Sequence, residues 1–485
     1  MDMNSVTWRA ILGCLVSLAL LLLPGCAVNP VTGKQDFVLL SEDEEIALGR
    51  RMHPQLLEQM PPYEDPALQA YVREVGERLA QVSHRSNLIY RFTVLDSNQV
   101  NAFATPGGYI YITRGLLAYL NSEAELAAVL GHEIGHVTAR HSVRQHSAST
   151  ATGLLAAVIG AASGVQGAGD LANIAGTAVV RGYGREHELE SDRLGAEYLA
   201  KSGYDPRAML AVIGVLKDQE TYEIQRAKEE GREPRSYHGL FSTHPANDTR
   251  LQETVLAADR FLDQGGDRGE NREAFLRHLD GLTFGDGEQD GVLRGNRFYH
   301  QPMNFTLEFP AGWRVENQPA ALLAQLPNDK GIMKVEVRDL NKREQPREFM
   351  QSLGIKEMRS GQSLTVAGLP GYTALVPGNT PQGEQWIRVA VLYHGDQVFI
   401  FSGFHEGEHP AVLSTVRSFR PLTEAEKVLA EAQRIKLIRA DANTRYDRLA
   451  ARSPIQFHAE EQLRLLNGQY PSGQPAAGQL LKIVE

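Results

Sequence analysis

One pentapeptide constrains this chain more than any other feature: His132-Glu133-Ile134-Gly135-His136, set in a stretch with helical periodicity. Two imidazoles four residues apart stand on one helical face, one turn above the other, and can reach a single metal ion. That is half of a zinc site. Glu133 lies about 100° round the helix from His132, so it projects beside the ion, where it can act as a general base toward water. Ser122 and Glu125 read as a capping box, and Leu126, Val129, Leu130, Ile134 and Val137 follow at helical spacing. The motif is therefore expected on an amphipathic helix with a defined start. His141, nine residues after His132, falls on the far side of that helix at about 100° per residue and is expected to be a structural or surface histidine.

A hydrolytic zinc needs a third protein ligand and an open fourth position. Downstream, the stretch Arg185 to Arg193 holds Glu186, Glu188, Glu190 and Asp192, and Gly203-Tyr204-Asp205-Pro206 stops a helix there. Three glutamates compete for the role. Glu188 and Asp192 are four apart and share a face, so one can bind the metal while the other accepts a hydrogen bond from a ligand histidine and fixes its tautomer. Glu186 and Glu190 point about 200° away and lack such a partner.

The pairing of His-Glu-Ile-Gly-His with Glu188-x-x-x-Asp192 resembles the gluzincin metallopeptidases related to the heat-shock protease HtpX and the CAAX prenyl proteases. Asn29-Pro30-Val31-Thr32-Gly33, the run Asn101 to Gly108, and Ser242-Thr243-His244-Pro245 with Arg250 are similar to the secreted bacterial lipoprotein branch, which includes BepA-type proteases. The likeness spans residues 27–260. It implies a mostly helical zinc-peptidase domain with a small edge sheet, holding one Zn2+ through His132, His136 and Glu188. Glu133 would be the catalytic base and Asp192 the carboxylate behind a ligand. By the same likeness Asn101 and His244 flank the site and hold the substrate carbonyl or the developing oxyanion. From the residues alone, Asn101 is equally a turn cap and His244 an ordinary loop residue.

The N-terminus suggests where such a protein works. Arg9 precedes an apolar run from Ala10 to Leu23, too short to span a bilayer, ending in Leu23-Pro24-Gly25-Cys26. That ending resembles a bacterial lipobox, which implies that residues 1–25 are a signal peptide and that Cys26 carries acyl chains. Cys14 lies in the removed segment, so Cys26 is left without an intramolecular disulfide partner. Ala27-Val28, without aspartate, suits the periplasmic face of a Gram-negative outer membrane.

The chain has 485 residues, more than one core accommodates, and a formal net charge of −10 with no basic, aromatic-laced face, which argues against a nucleic-acid partner. Residues 151–180 are rich in Gly and Ala, but their internal glycines, Gln166 and Asp170 disfavour a membrane span, and a lid or membrane-touching hairpin near the cleft is expected. Tyr109 to Thr113 reads as a strand, either an edge along which an extended peptide lies or a fully paired interior strand. After a peptidase domain at 26–263 and a polar connector at 264–295, strands from Phe305, Met333, Ile387 and Val398 and a helix from Pro346 to Leu353 predict an α+β accessory domain at 296–422. The remainder, 423–485, opens with a helix at Thr423 capped by Glu426. It lacks the helical repeats expected of BepA-type relatives and resembles a degenerate LysM module, although Ala442-Asn443-Thr444 stands where Gly-Asp-Thr is usual.

The expected class is therefore α+β, and the expected activity that of a lipid-anchored zinc metalloendopeptidase in the cell envelope, acting on misfolded or unassembled polypeptides. Outer-membrane lipid through Cys26, envelope assembly machinery and peptidoglycan are the candidate partners. The rival expectation is an assembly factor or chaperone-like lipoprotein with a structural or restrained zinc site. Glu133 favours the enzyme, since a structural zinc needs no base.

Overall fold

The computed structural model describes residues 26–147, 150, 184–230, 234, 248–261, 268–318, 321–326, 330–355, 357–380, 383–405 and 410–485. They fall into two compact units. One holds the described residues of Met1–Glu220, Ser236–Asp280 and Arg464–Gly473, and the other those of Thr221–Arg235, Gly281–Leu463 and Gln474–Glu485. The fold is α+β, as expected.

The first unit begins with a hairpin, β1 (Cys26–Val28) and β2 (Gln35–Phe37), paired antiparallel. Its turn is made by Asn29, whose Oδ1 accepts from the N–H groups of Val31 and Thr32, and by Gly33 at φ 68°, a left-handed conformation that glycine adopts at little cost. Helix α1 (Glu42–Gln59) carries a complete capping box from Ser41 and Glu44. Helix α2 (Pro66–Gln81) starts on Asp65, whose carboxylate accepts from Ala67 and Leu68, with Pro66 in the first turn. It buries Leu68, Val72, Val75 and Leu79, the one-faced pattern of a core-facing helix.

Strands β3 (Arg91–Leu95), β4 (Ala102–Thr105) and β5 (Tyr109–Thr113) form a sheet in the order β3-β5-β4, with β5 parallel to β3 and antiparallel to β4. Strand β5 is thus the central one and buried throughout, so the interior alternative holds for Tyr109–Thr113, and β3 and β4 are the edges. Helices α3 (Arg114–Tyr119) and α4 (Glu123–Thr138) follow. Ser122 caps α4 by accepting from the Glu125 N–H, while the Glu125 carboxylate reaches the N–H of Asn121. Only Glu125 on α4 escapes burial, which corrects the amphipathic expectation: α4 is the central helix, packed on α2, β4, β5 and the later helices α5 (Arg185–Lys201) and α8 (Arg272–His278). Between them lie α6 (Ala208–Glu229) and α7 (Asp248–Phe261), and α7 packs on α5. Helix α8, with Phe275 and Leu276 buried, lies within the stretch expected to be a connector.

The second unit opens with β6 (Thr283–Phe284) and an antiparallel three-stranded sheet of β7 (Val292–Arg294), β8 (Arg297–His300) and β9 (Phe305–Glu308). A seven-stranded sheet follows in the order β10-β11-β12-β16-β15-β14-β13, where β10 is Arg314–Gln318, β11 Ala321–Gln325, β12 Gly331–Asp339, β13 Arg359–Val366, β14 Leu369–Thr380, β15 Gly383–His394 and β16 Gln397–His405. Alternation along the strands divides its side chains between two cores. Ala390, Leu392, Phe399 and Phe401 pack with Val412 and Val416 of helix α10 (Pro410–Ser418), and Val389, Val391, Val398 and Ile400 with Phe349 and Met350 of α9 (Pro346–Ser352). Near the C-terminus, β17 (Gln433–Arg439) pairs antiparallel with β18 (Leu480–Val484). Residues 1–25, 151–180 and His244 lie outside the described residues, so the signal-peptide and lid expectations and the placement of His244 rest on sequence alone.

Candidate metal centre

The centre is assembled by the crossing of α4 and α5. Glycines on both helices let their backbones meet: a Cβ built on Gly131 would stand 3.4 Å from Gly195 Cα, and one on Gly135 3.0 Å from Ser191 Cα. Interaxial distance follows the side chains at the contact, and here there is almost none. This brings Glu188 and Asp192, four apart on α5, against His132 and His136, four apart on α4.

Glu188 Oε2 lies 3.6 Å from His132 Nε2, Glu188 Oε1 3.4 Å from His136 Nε2, and the two Nε2 atoms 3.0 Å from each other. Donors held about 2.0–2.2 Å from a tetrahedral zinc stand about 3.3–3.6 Å apart; both glutamate–histidine spacings fall in that range, and the 3.0 Å between the two Nε2 atoms is shorter than it. All three side chains are buried, and they could hold one metal ion. The ring tautomers agree. His132 Nδ1 is 2.8 Å from Asp192 Oδ1, so it carries the proton and donates to the carboxylate, which also accepts from Thr254 Oγ1 at 3.1 Å. His136 Nδ1 is 2.9 Å from His141 Nδ1. With both Nδ1 atoms engaged, the two Nε2 lone pairs face each other, a repulsion that a shared cation relieves. Burial holds His136 well below the ordinary imidazole range, against the opposing pull of Glu188. A neutral imidazole is the form that binds metal.

Glu133 is fully buried on the same helix, one residue past His132. Asn101 immediately precedes the edge strand β4, which packs on α4, and its buried Oδ1 has no hydrogen-bond partner among the described residues. A buried amide oxygen left without a partner costs about 1–3 kcal/mol, and such atoms concentrate where a ligand completes them. Cys26 opens β1.

One expectation fails. His141 is not on the far side of the helix: it is fully buried and adjoins His136. The cause is a break. Helix α4 ends at Thr138, Arg140 turns left-handed at φ 56°, and the next helical residues, 141–147, set off in a new direction. Glu190 reaches the same histidine, its Oε2 lying 3.0 Å from His141 Nε2 and 3.2 Å from Arg144 Nη1. No glycine or asparagine marks Arg140 as the turning point. It is held by tertiary contacts, with Nε 2.8 Å from Glu45 Oε2 while Arg85 occupies Glu45 Oε1 at 2.9 Å and donates to the Val137 carbonyl at 3.1 Å. Three buried groups thus pin the end of α4 to α1.

Comparison with known proteins finds similar sequences over the part of the chain that carries this centre. Residues 66–256 match the model of Peptidase family M48. The beta-barrel assembly-enhancing protease of Yersinia pestis is 31% identical over 250 residues, 49% of this chain and 49% of that protein, and its counterpart in Escherichia coli K12 is 32% identical over 232 residues, 46% and 45%. The mitochondrial metalloendopeptidase OMA1 of Arabidopsis thaliana is 32% identical over 154 residues, 32% of this chain and 31% of that one. The chain spans about half the length of the beta-barrel assembly-enhancing proteases it matches. A LysM-like tail finds no support in these comparisons.

Proposed function

We propose that this chain, whose residues 66–256 match the model of Peptidase family M48, is a zinc metalloendopeptidase of the bacterial cell envelope that cleaves misfolded or unassembled envelope proteins. The observation that carries the proposal is the convergence of the buried donors of His132, His136 and Glu188 on one point, with both glutamate–histidine spacings those of a tetrahedral ion, beside a buried Glu133. When bound there, zinc supplies Lewis acidity to a peptide carbonyl and to water. The chain supplies the rest. Glu133 takes a proton from the attacking water and hands it to the leaving amine. Asp192 and His141 keep the Nδ1 protons of the two histidines turned away from the metal side. Asn101, through its amide Nδ2 as donor, and His244 act on the substrate carbonyl as its oxygen gains charge.

The same proposal places catalysis in residues 26–263, after a removed signal peptide of 1–25, with acylated Cys26 anchoring the mature chain to the periplasmic face of the outer membrane. The accessory domain at 296–422 serves as scaffold or partner surface. No helix among the described residues is long and apolar enough to cross a membrane.

The test compares wild type with Glu133→Gln on an unfolded, casein-like substrate, with bound zinc measured in both. Wild type holds one equivalent and cleaves, and the variant holds one equivalent and does not. Cleavage that survives stripping of the metal would refute the proposal, and loss of zinc in the variant would overturn the division of roles between ligands and base.

A further inference from the structure

His132 and His136 are backed differently. A carboxylate stands directly behind His132, whereas the group behind His136 is a second imidazole, His141, with Glu190 behind that. We infer that His141 and Glu190 form a positioning pair that fixes the tautomer and the ring orientation of His136, and so set how tightly the centre holds zinc. The inference rests on the proposed zinc site and extends its support by two residues.

The hydrogen bonding allows one arrangement along this line. Glu190 as a carboxylate only accepts, so His141 Nε2, 3.0 Å away, is the donor and carries the proton of a neutral ring. His141 Nδ1 is then a lone pair, able to accept from His136 Nδ1–H at 2.9 Å and from Ser191 Oγ at 3.3 Å. His136 then carries its lone pair on Nε2, the atom that faces Glu188. Reversing the His141 tautomer would set two N–H groups against each other, and Glu190 prevents it. The His141 ring has no freedom to turn away: it is fully buried and stacked on His187 with centroids 4.2 Å apart. Glu190 is braced in turn by Arg144 Nη1 at 3.2 Å, whose Nε is 3.2 Å from Asp36 Oδ2, and Asp36 accepts from Asn29 Nδ2 at 2.7 Å. A continuous series of polar contacts thus runs from the hairpin just after Cys26 to a metal ligand.

The experiment measures zinc dissociation constants by chelator competition for full-length wild type, His141→Ala, His141→Asn and Glu190→Ala, with thermal denaturation of each zinc-free protein and the visible spectrum of each cobalt-substituted form. Removing the group behind a ligand histidine weakens metal binding by about 10–100-fold, so His141→Ala and Glu190→Ala lose affinity by that factor and shift the cobalt spectrum. His141→Asn, whose Oδ1 replaces the Nδ1 acceptor, recovers most of the affinity. A merely structural role would lower the zinc-free melting temperature and leave affinity and spectrum alone, and that result overturns the inference. Should His141→Ala not fold, wild-type affinity in Glu190→Ala overturns it equally. Wild type that binds no zinc fails the proposed function itself, and this inference with it.

Discussion

The closeness of α4 and α5 yields a prediction that separates packing from helix propensity. Gly131→Ala and Gly135→Ala are the same change one turn apart on one buried helix, and each gains about 0.8–1 kcal/mol of intrinsic helix propensity. They differ in the space they meet. The new Cβ at 131 stands 3.4 Å from Gly195 Cα and O, ordinary contact, whereas at 135 it stands 3.0 Å from Ser191 Cα and O, closer by 3.4 − 3.0 = 0.4 Å. Those neighbours are backbone atoms, so no rotamer change relieves the contact and α5 itself must move. Overpacking of this kind costs about 1–3 kcal/mol. Ser191 lies between Glu188 and Asp192, and metal–ligand distances tolerate only about 0.2 Å. In the zinc-free protein the helices can part to relieve the clash, but zinc must draw them together again, so the strain falls on metal binding and weakens it by about 5–150-fold for 1–3 kcal/mol. Gly131→Ala is expected to match or slightly exceed wild type in zinc-free stability, with unchanged zinc affinity. Chemical denaturation and chelator competition on both variants decide it. Equal zinc affinity in the two variants would refute the claim that the α4–α5 approach sets the site.

Glu45 is buried between Arg85 and Arg140, so Glu45→Ala strips buried Arg140 of its carboxylate and leaves Arg85 only the half-exposed Glu42 at 2.8 Å, and it is expected to destabilise the protein by about 3–5 kcal/mol in urea denaturation; a loss under 1 kcal/mol would mean that the cluster does not hold the end of α4. His244→Ala is expected to lower kcat by about 10²–10³ with KM little changed, the signature of losing one oxyanion donor, and wild-type kinetics would remove His244 from the machinery. Cys26→Ser is expected to leave the protein in the soluble periplasmic fraction or unprocessed, whereas unchanged membrane partition with no diacylglyceryl mass on the mature wild-type N-terminus would end the lipoprotein proposal.

Local periodicity carried much of the outline. The i, i+4 spacing that puts two side chains on one face of a helix acts within a turn, so His132 with His136 and Glu188 with Asp192 were legible as pairs without any fold. So were the Ser122 cap and the strand at Tyr109–Thr113. Strands β13 and β14 were not, because Pro370, Gly371, Pro377 and Gly378 disguise β14 as turn. The register shows how it is tolerated: Pro370 pairs with β13 before β15 begins its ladder at Gly371, and Pro377 pairs with β15 beyond Leu375, the last partner of β13. The partnership of His141, Glu190 and Arg144 was decided by tertiary structure alone. It depends on a left-handed arginine that no local signal announces, held by a glutamate 95 residues earlier. Extrapolating a helix at 100° per residue fails at the first residue whose backbone is set by a distant partner. Sequence determined which groups could bind a metal, and the buried crossing of α4 and α5, with the turn at Arg140, decided which side chains stand behind them.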